Sequence, residues 1–349
     1  MGKMGKYIYG IIPRHCSGQV NCIAEKSFDS FLANSSEEVC TVSFQDIAAV
    51  VTDSEIVDYT RLLKDAVARY LIKHQQVIEK LMENFTIIPM RLGTFASDED
   101  EVRYILAKAY PRVKDIFNKI SDKIEIDVAA TWSDFNSILK EIGEEKEIKE
   151  IKERLSANPK GVTLDEQMKI GVMVKKTLDK KREKYAGQIQ KALTPVSQDF
   201  KAHGLMDDKM VVNSAFLINK HEYEDFERII EELNTEFHDE LNFRCVGPLP
   251  PYSFYTLEVK KMQFKELDWA RKRLGLVNDF VTKSEIKKAH QAKAFALHPD
   301  MNPNVPGIER EFDDATKAYK TLWEYCQGDS CSFNEDEFRK NAILVKVRE

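Results

Sequence analysis

The stretch Gly247-Pro248-Leu249-Pro250-Pro251-Tyr252-Ser253-Phe254 decides how this chain is read. Proline fixes φ and removes a backbone donor, so the segment can neither continue a helix nor sit inside a sheet. Residues 241–246 before it and 254–259 after it read as strands, which makes it a strand-to-strand connection. Tyr252 and Phe254 are placed to cap a core. Just upstream, residues 210–218 read as a strand. Residues 221–233 read as a helix with Phe226, Ile229, Ile230 and Leu233 on one face. Strand, helix, strand and strand close an α+β unit.

Working outward, residues 6–13 form an apolar strand ended by Pro13. Residues 41–44 and 47–52 are two short strands about a turn at Gln45-Asp46. Leu63, Val67, Tyr70, Leu71, His74, Val77, Ile78 and Leu81 recur at helical spacing over 60–84. Residues 85–92 read as a strand, with Pro89 pointing to an edge or bend. Ser97-Asp98 caps a helix carrying Val102, Ile105, Leu106 and Ala109. Residues 124–128 alternate apolar and acidic side chains, as a half-exposed strand does. The mixed charges of 140–154 read as a solvated helix face, and 156–161 as a turn or linker. Residues 163–203 are mostly helical, with Leu164, Met168 and Val172 early and Tyr185, Ile189, Leu193, Val196 and Phe200 late, and Pro195 kinks or ends the helix. That helix either packs on the body or shows a stripe to a partner.

Composition bounds the class. The chain has 349 residues, 43% hydrophobic and 32% charged, with net charge −6. It carries enough apolar material for ordinary cores and no overall positive field for non-specific nucleic-acid binding. No apolar run approaches the ~20 residues of a membrane span, and no signal-peptide core follows Met1. The six cysteines include no C-x-x-C pair; Cys16 and Cys22 beside His15 only loosely resemble a metal cluster. Free thiols, no metal and no cofactor are expected. There is no G-x-G-x-x-G, P-loop or nucleophile elbow, and the carboxylate pairs Asp207-Asp208 and Asp313-Asp314 sit in polar surroundings. The expectation is a non-enzymatic, cytoplasmic, multidomain protein.

Several stretches together resemble the GvpL/GvpF family of gas vesicle proteins. They are Tyr7-Ile8-Tyr9-Gly10-Ile11, the run Thr86-Ile87-Ile88-Pro89-Met90-Arg91-Leu92-Gly93-Thr94-Phe95, Asn213–Ile218, and the proline-rich stretch that ends the set. The resemblance covers about residues 6–260. It implies an accessory factor that binds the small hydrophobic shell protein and other gas vesicle proteins, aids nucleation or growth of the wall, and is associated with the vesicle. It marks Pro89, Arg91, Gly93, Gly247, Pro248, Pro250, Pro251 and Tyr252 as signature positions, expected to be structural. Arg91 near a strand end would bind a carbonyl or carboxylate.

Beyond residue 262 the pattern changes. A cap at Thr282 or Ser284 opens a helix with Ile286, Ala289, His290, Ala294 and Leu297. His298-Pro299-Asp300 follows, and then a helix with Phe312, Ala315, Ala318, Tyr319 and Leu322. This resembles a J-domain, the module that stimulates DnaK-type chaperones. It implies that Asp300 meets a chaperone arginine and that Lys287 and Lys288, with Lys283, form a docking face. The alternative for these charges is pairing inside the module. The chain departs from the pattern at Gln291, Ala292 and Ala296, where basic residues are usual, at Lys293, where a core leucine is expected, and at Met301. The expected architecture is α+β. Two mixed, ferredoxin-like domains span 6–122 and 123–262, and a small all-α J-like hairpin module with a tail spans 263–349. The alternative function is a general J-domain co-chaperone unrelated to gas vesicles.

Overall fold

The computed structural model describes residues 3–14, 39–156, 163–237, 239–303 and 305–347. His15, Cys16, Cys22 and all but the first residue of the 156–161 linker lie outside them.

The first unit holds β1 (Met4–Pro13), β2 (Val39–Phe44), β3 (Ile47–Glu55), α1 (Lys64–Met82), β4 (Ile88–Pro89), β5 (Phe95–Ala96) and α2 (Glu99–Ile120). Its sheet runs β2-β3-β1-β4, with β5 also on β1, all antiparallel. Both faces of β1 are buried, which explains its unbroken apolar run. Ile8 and Ile11 pack with α2 residues such as Ile105 and Leu106. Tyr7, Tyr9 and Ile12 pack with Val77, Ile78 and Leu81 of α1. A register shift between Ile8 and Gly10 moves the alternation. Gln45 takes φ 52° at the hairpin tip, and Asp46 beside it accepts from Tyr110 at 2.7 Å and pairs with Lys114 at 2.6 Å. Those contacts pin the tip to α2.

The second unit holds β6 (Lys123–Trp132), α3 (Phe135–Gly143), α4 (Lys146–Ser156), α5 (Leu164–Leu193), β7 (Asp199–Ala202), β8 (Met210–Asn219), α6 (Tyr223–Glu236) and β9 (Leu241–Leu249). Its order, β7-β8-β6-β9, is again antiparallel. In both sheets the chain's first strand lies between its third and fourth, a likeness that residue identities do not reveal. The helices cover the face bearing Ile124, Ile126, Val128, Ala130 and Trp132. The opposite face bears Ala215 and Leu217, against which Phe254 packs.

Several sequence expectations need correction. The strand expected over 85–92 shrinks to β4, because Pro89 cannot donate and Gly93 turns the chain at φ 84°; β5, beyond that turn, was not expected. Residues 124–128 are not half-exposed: β6 is an inner strand and Glu125 is 1% exposed. The strand expected over 254–259 begins later, after a helical turn, α7 (Tyr252–Tyr255), as β10 (Leu257–Lys261). The helix expected over 163–203 ends at Leu193, ahead of Pro195, and 199–202 form β7 instead; along α5, Leu178, Tyr185, Ile189 and Leu193 are buried, while Leu164, Met168 and Val172 stand exposed.

The third segment holds α8 (Phe264–Leu274), β11 (Phe280–Thr282), α9 (Lys283–Ala296), α10 (Ile308–Tyr325), β12 (Ser330–Ser332), α11 (Glu335–Asn341) and β13 (Ile343–Val347). Its helices share a core of Leu267, Ala270, Leu274, Ile286, Ala315, Ala318 and Leu322. The three strands were not expected; each is too short for a periodic signal. Of these, β13 pairs antiparallel with β10, and Ile343, Val345 and Val347 pack on the core of the first unit, where Leu257 is fully buried. Arg112 of α2 donates to the Val345 carbonyl at 2.8 Å, and Glu324 of α10 pairs with Lys346 at 2.7 Å and with Lys260. The third segment is thus clasped to the first. Leu257→Ala should lower the unfolding free energy by about 2–5 kcal/mol through the cavity it leaves, measured by chemical denaturation. A loss of only a few tenths would show that this clasp is not packed.

Candidate functional site

Two groups of residues stood out in the sequence, and the structure puts them in different places. The signature residues converge where the two sheets meet. Pro89 is buried in β4, and the Arg91 N–H donates to the Leu257 carbonyl at 2.8 Å. The Arg91 guanidinium pairs with Glu258, a partner the sequence did not indicate. A Cβ at Gly93 would lie 2.9 Å from the Tyr59 ring, at a φ that already favours glycine. A Cβ at Gly247 would lie 3.1 Å from the Glu125 carbonyl oxygen, so β9 and β6 come close there. The Gly247–Pro248 peptide is cis. Pro250 and Pro251 are buried, and Tyr252 packs against the α1-side core of the first unit.

Behind this stretch lies a polar cluster that sequence reasoning missed. The Ser253 N–H and hydroxyl donate to the two carboxylate oxygens of Glu125 at 2.8 and 2.7 Å. His203 Nε2 lies 3.1 Å from the same hydroxyl. Burial pushes the Glu125 carboxyl up to about 7, against the opposing pull of the Ser253 hydrogen bonds, and neighbouring Asp127 raises it further. Asp127 is raised too, chiefly by burial. On the other side of the junction His74 is held between Tyr7, 2.7 Å from its Nδ1, and the Met90 carbonyl, 3.0 Å from its Nε2. Burial lowers it to about 4, so it is neutral near pH 7. A cleft of about 600 Å³ opens between the two units, lined by Tyr59, His74, Arg91, Lys201, His203 and Tyr252. The only sequence signal for this cluster was the alternation of Glu125 and Asp127, which reads equally well as a solvated face.

The J-like residues sit on the surface. Thr282 caps α9 in a capping box with Glu285. The chain leaves α9 at Leu297, and Asn302 donates to the carbonyls of Ala296 and His298, both at 3.0 Å, which shapes the loop. Pro299 starts a short 3₁₀ turn over Pro299–Met301. His298 accepts from the Asp300 N–H at 3.2 Å and packs edge-on to Phe312. The Asp300 side chain is 89% exposed. Lys287 and Lys288 are exposed, and among the described residues neither forms an ion pair. Lys283 is different: its ammonium lies 5.2 Å from the Trp323 ring centre, inside the module. Lys293, at the position expected to hold a core leucine, is exposed, and Ile286 is the only fully buried residue of α9. Among the described residues no cluster of histidine, cysteine and acidic side chains could hold a metal ion, and no helix is long and apolar enough to cross a membrane.

The buried carboxylate makes a pH prediction. A carboxyl whose folded value is raised to about 7 stabilises the fold in its protonated form; that contribution is lost as pH rises from the unfolded value of about 4.5 through 7. His74, lowered to about 4, acts in the opposite sense as pH falls below about 6.5. Comparing Glu125→Gln with wild type cancels the His74 effect. The variant's stability relative to wild type should improve by about 2–3 kcal/mol between pH 5 and pH 8 in denaturant titrations. A difference that does not change with pH would mean that Glu125 ionises normally.

Both groups lie within stretches that match known families. The profile of the family described as gas vesicle synthesis protein GvpL/GvpF matches residues 5–256, and that of the DnaJ domain matches 272–325. Gas vesicle protein F of Microcystis aeruginosa is 26% identical over 192 residues, covering 54% of this chain and 78% of that protein. The chaperone protein DnaJ of Salinibacter ruber is 44% identical over 46 residues, 13% of this chain and 12% of that protein. The crystal structure of GvpF from Anabaena matches with a TM-score of 0.59 at 22% identity, covering 72% of this chain and 98% of the other; this is a likeness of fold. The chain belongs to the GvpL/GvpF family of gas vesicle synthesis proteins and carries a DnaJ domain in its C-terminal part.

Proposed function

We propose that this protein is a non-enzymatic gas vesicle assembly factor. In this reading the two-sheet body binds the small hydrophobic shell protein, together with other gas vesicle accessory proteins, and aids nucleation or growth of the wall. The J-type module brings a DnaK-type chaperone to that client, and the protein works in the cytoplasm at the vesicle. The observation that carries the reading is one continuous chain: a gas vesicle family body is clasped by β10 and β13 to a module whose Asp300 side chain is 89% exposed, with His298 near its carboxylate at 3.8 Å, and whose exposed Lys287 and Lys288 form no ion pair among the described residues. The signature residues Pro89, Arg91, Gly93, Gly247, Pro248, Pro250, Pro251 and Tyr252 then serve structure, by holding the junction between the two sheets.

A second reading is a general J-domain co-chaperone whose body delivers other clients. The stretch 44% identical to a DnaJ chaperone supports it. The client separates the two readings. The purified shell protein should aggregate alone and stay soluble with this protein under the first reading, and should be indifferent to it under the second. Deleting the protein in its host, with no paralogue present, should abolish or stunt gas vesicles; normal vesicles would remove the gas vesicle reading.

The chaperone arm has its own test. Asp300→Asn keeps the side-chain shape and removes its charge. A charge-assisted hydrogen bond contributes about 1.5–3 kcal/mol, so chaperone binding should weaken about 10- to 150-fold. The residue is exposed in a loop, so the module's stability should hardly change. Charge reversal at Lys287 and Lys288 should lower affinity mainly through the on-rate, and salt should mask the effect. The readout is chaperone ATP turnover at low and moderate salt. Equal stimulation by wild type and Asp300→Asn would show that the loop serves another contact.

A further inference from the structure

The outer edge of the second sheet is open along residues 241–246, and Pro248 blunts it only beyond them. β9 is the last strand in the order β7-β8-β6-β9, and among the described residues it pairs with β6 alone. Its register with β6 is regular from Leu241 to Val246 and breaks only beyond. Residues 241–246 contain neither lysine nor proline, the residues that usually blunt a sheet edge. Asn242, Arg244, Cys245 and Val246 are exposed. Such an edge offers a row of backbone donors and acceptors to an added strand.

Alongside the edge runs a groove of about 330 Å³ between β9 and α6, lined by Tyr223, Glu227, Ile230, Glu231, Cys245 and Gly247. Its floor is apolar and its wall is acidic. Glu224, Asp225, Glu227, Glu231, Glu232 and Glu236 share α6 with a single basic residue, Arg228. The Arg228 guanidinium is engaged by Asp225 and Glu232, both at 2.9 Å. Glu227 and Glu231, the two that face the groove, form no ion pair among the described residues. Glu227 receives the Tyr223 hydroxyl, and the Cys245 thiol is raised first by burial and then by the Glu227 charge, which places that charge beside the strand edge.

We propose that this edge is a docking site for an extended segment of a partner protein in which apolar and basic residues alternate. The segment adds to β9 as a further antiparallel or parallel strand. Alternate side chains of an added strand point to opposite faces, so one set reaches the groove beside α6. That set is the basic one: its methylene stems cover Ile230 and Cys245, and its ammonium or guanidinium groups meet Glu227 and Glu231. A second copy of this chain is the poorer occupant, because pairing β9 with β9 would bring two acidic α6 helices together. The site uses neither the J-type loop nor the basic helix α9 and does not depend on chaperone recruitment.

The test uses the full-length protein and a fluorescent eight-residue peptide of alternating valine and lysine, followed by polarisation. A valine–glutamate peptide and a valine–lysine peptide N-methylated at alternate amides serve as controls. The valine–lysine peptide should bind, the valine–glutamate peptide should not, and N-methylation should abolish binding. E227Q/E231Q, which leaves side-chain size unchanged, should weaken binding about two- to thirtyfold at low salt, with the difference fading as salt rises. Absence of binding, equal binding of the N-methylated or glutamate peptide, or a dimer through β9 that the peptide does not disturb would each overturn the proposal.

Discussion

The structure turns on one buried carboxylate. Glu125 lies on an inner strand of the second sheet, on the face the helices do not cover, and is satisfied by the backbone and hydroxyl of Ser253. A buried carboxylate without such donors costs several kcal/mol. The Ser253 contact therefore fixes where the proline-rich connection must run. From that point Phe254 drops against Ala215 and Leu217, Tyr252 against one core of the first unit, and Leu257 into the other. The rigidity of Pro248, Pro250 and Pro251 keeps the connection from straying.

The same route determines how the C-terminal part is carried. Leu257 opens β10, and β10 is the strand on which β13 closes. The J-type helices lie between these two strands in sequence, so both of their ends are tied to the first unit. A module joined by one flexible linker would sample many orientations; one clasped at both ends presents its loop in a narrow range. The charge pairs Lys260–Glu324 and Glu324–Lys346 reinforce the clasp from α10. In the proposed scheme this geometry holds a recruited chaperone at a set distance from whatever the body binds.

The charges of the module divide by the same logic. Lys283 is drawn onto Trp323, and Arg273 pairs with Glu311, so part of the basic character is spent inside the module. Lys287 and Lys288, one turn further along α9, stay in solvent; the nearby Glu285 carboxylate is held by Thr282 in the capping box, and among the described residues neither lysine forms an ion pair. The sequence groups Lys283, Lys287 and Lys288 as one docking face. The packing of the two helices divides those charges between internal pairs and a free face.

The sequence by itself determined what local chemistry controls. Capping at Asp98 and Thr282, the amphipathic spacing of α2 and α10, the apolar run of β1 and the His298-Pro299-Asp300 loop all appear where residue order places them. Each depends on neighbours within a few positions, through propensity, caps and periodicity. The tertiary structure decided the rest. The alternation of 124–128 is the same whether its acidic face meets water or a serine 128 positions away, and only the packed connector distinguishes the two. Likewise Arg91 finds Glu258, a proline and a glycine reduce an expected strand to one pair of residues, and three-residue strands pair across the C-terminal segment. All of these arise from contacts between parts of the chain far apart in sequence, where the closure of long loops, and not the preference of any single residue, selects the partner.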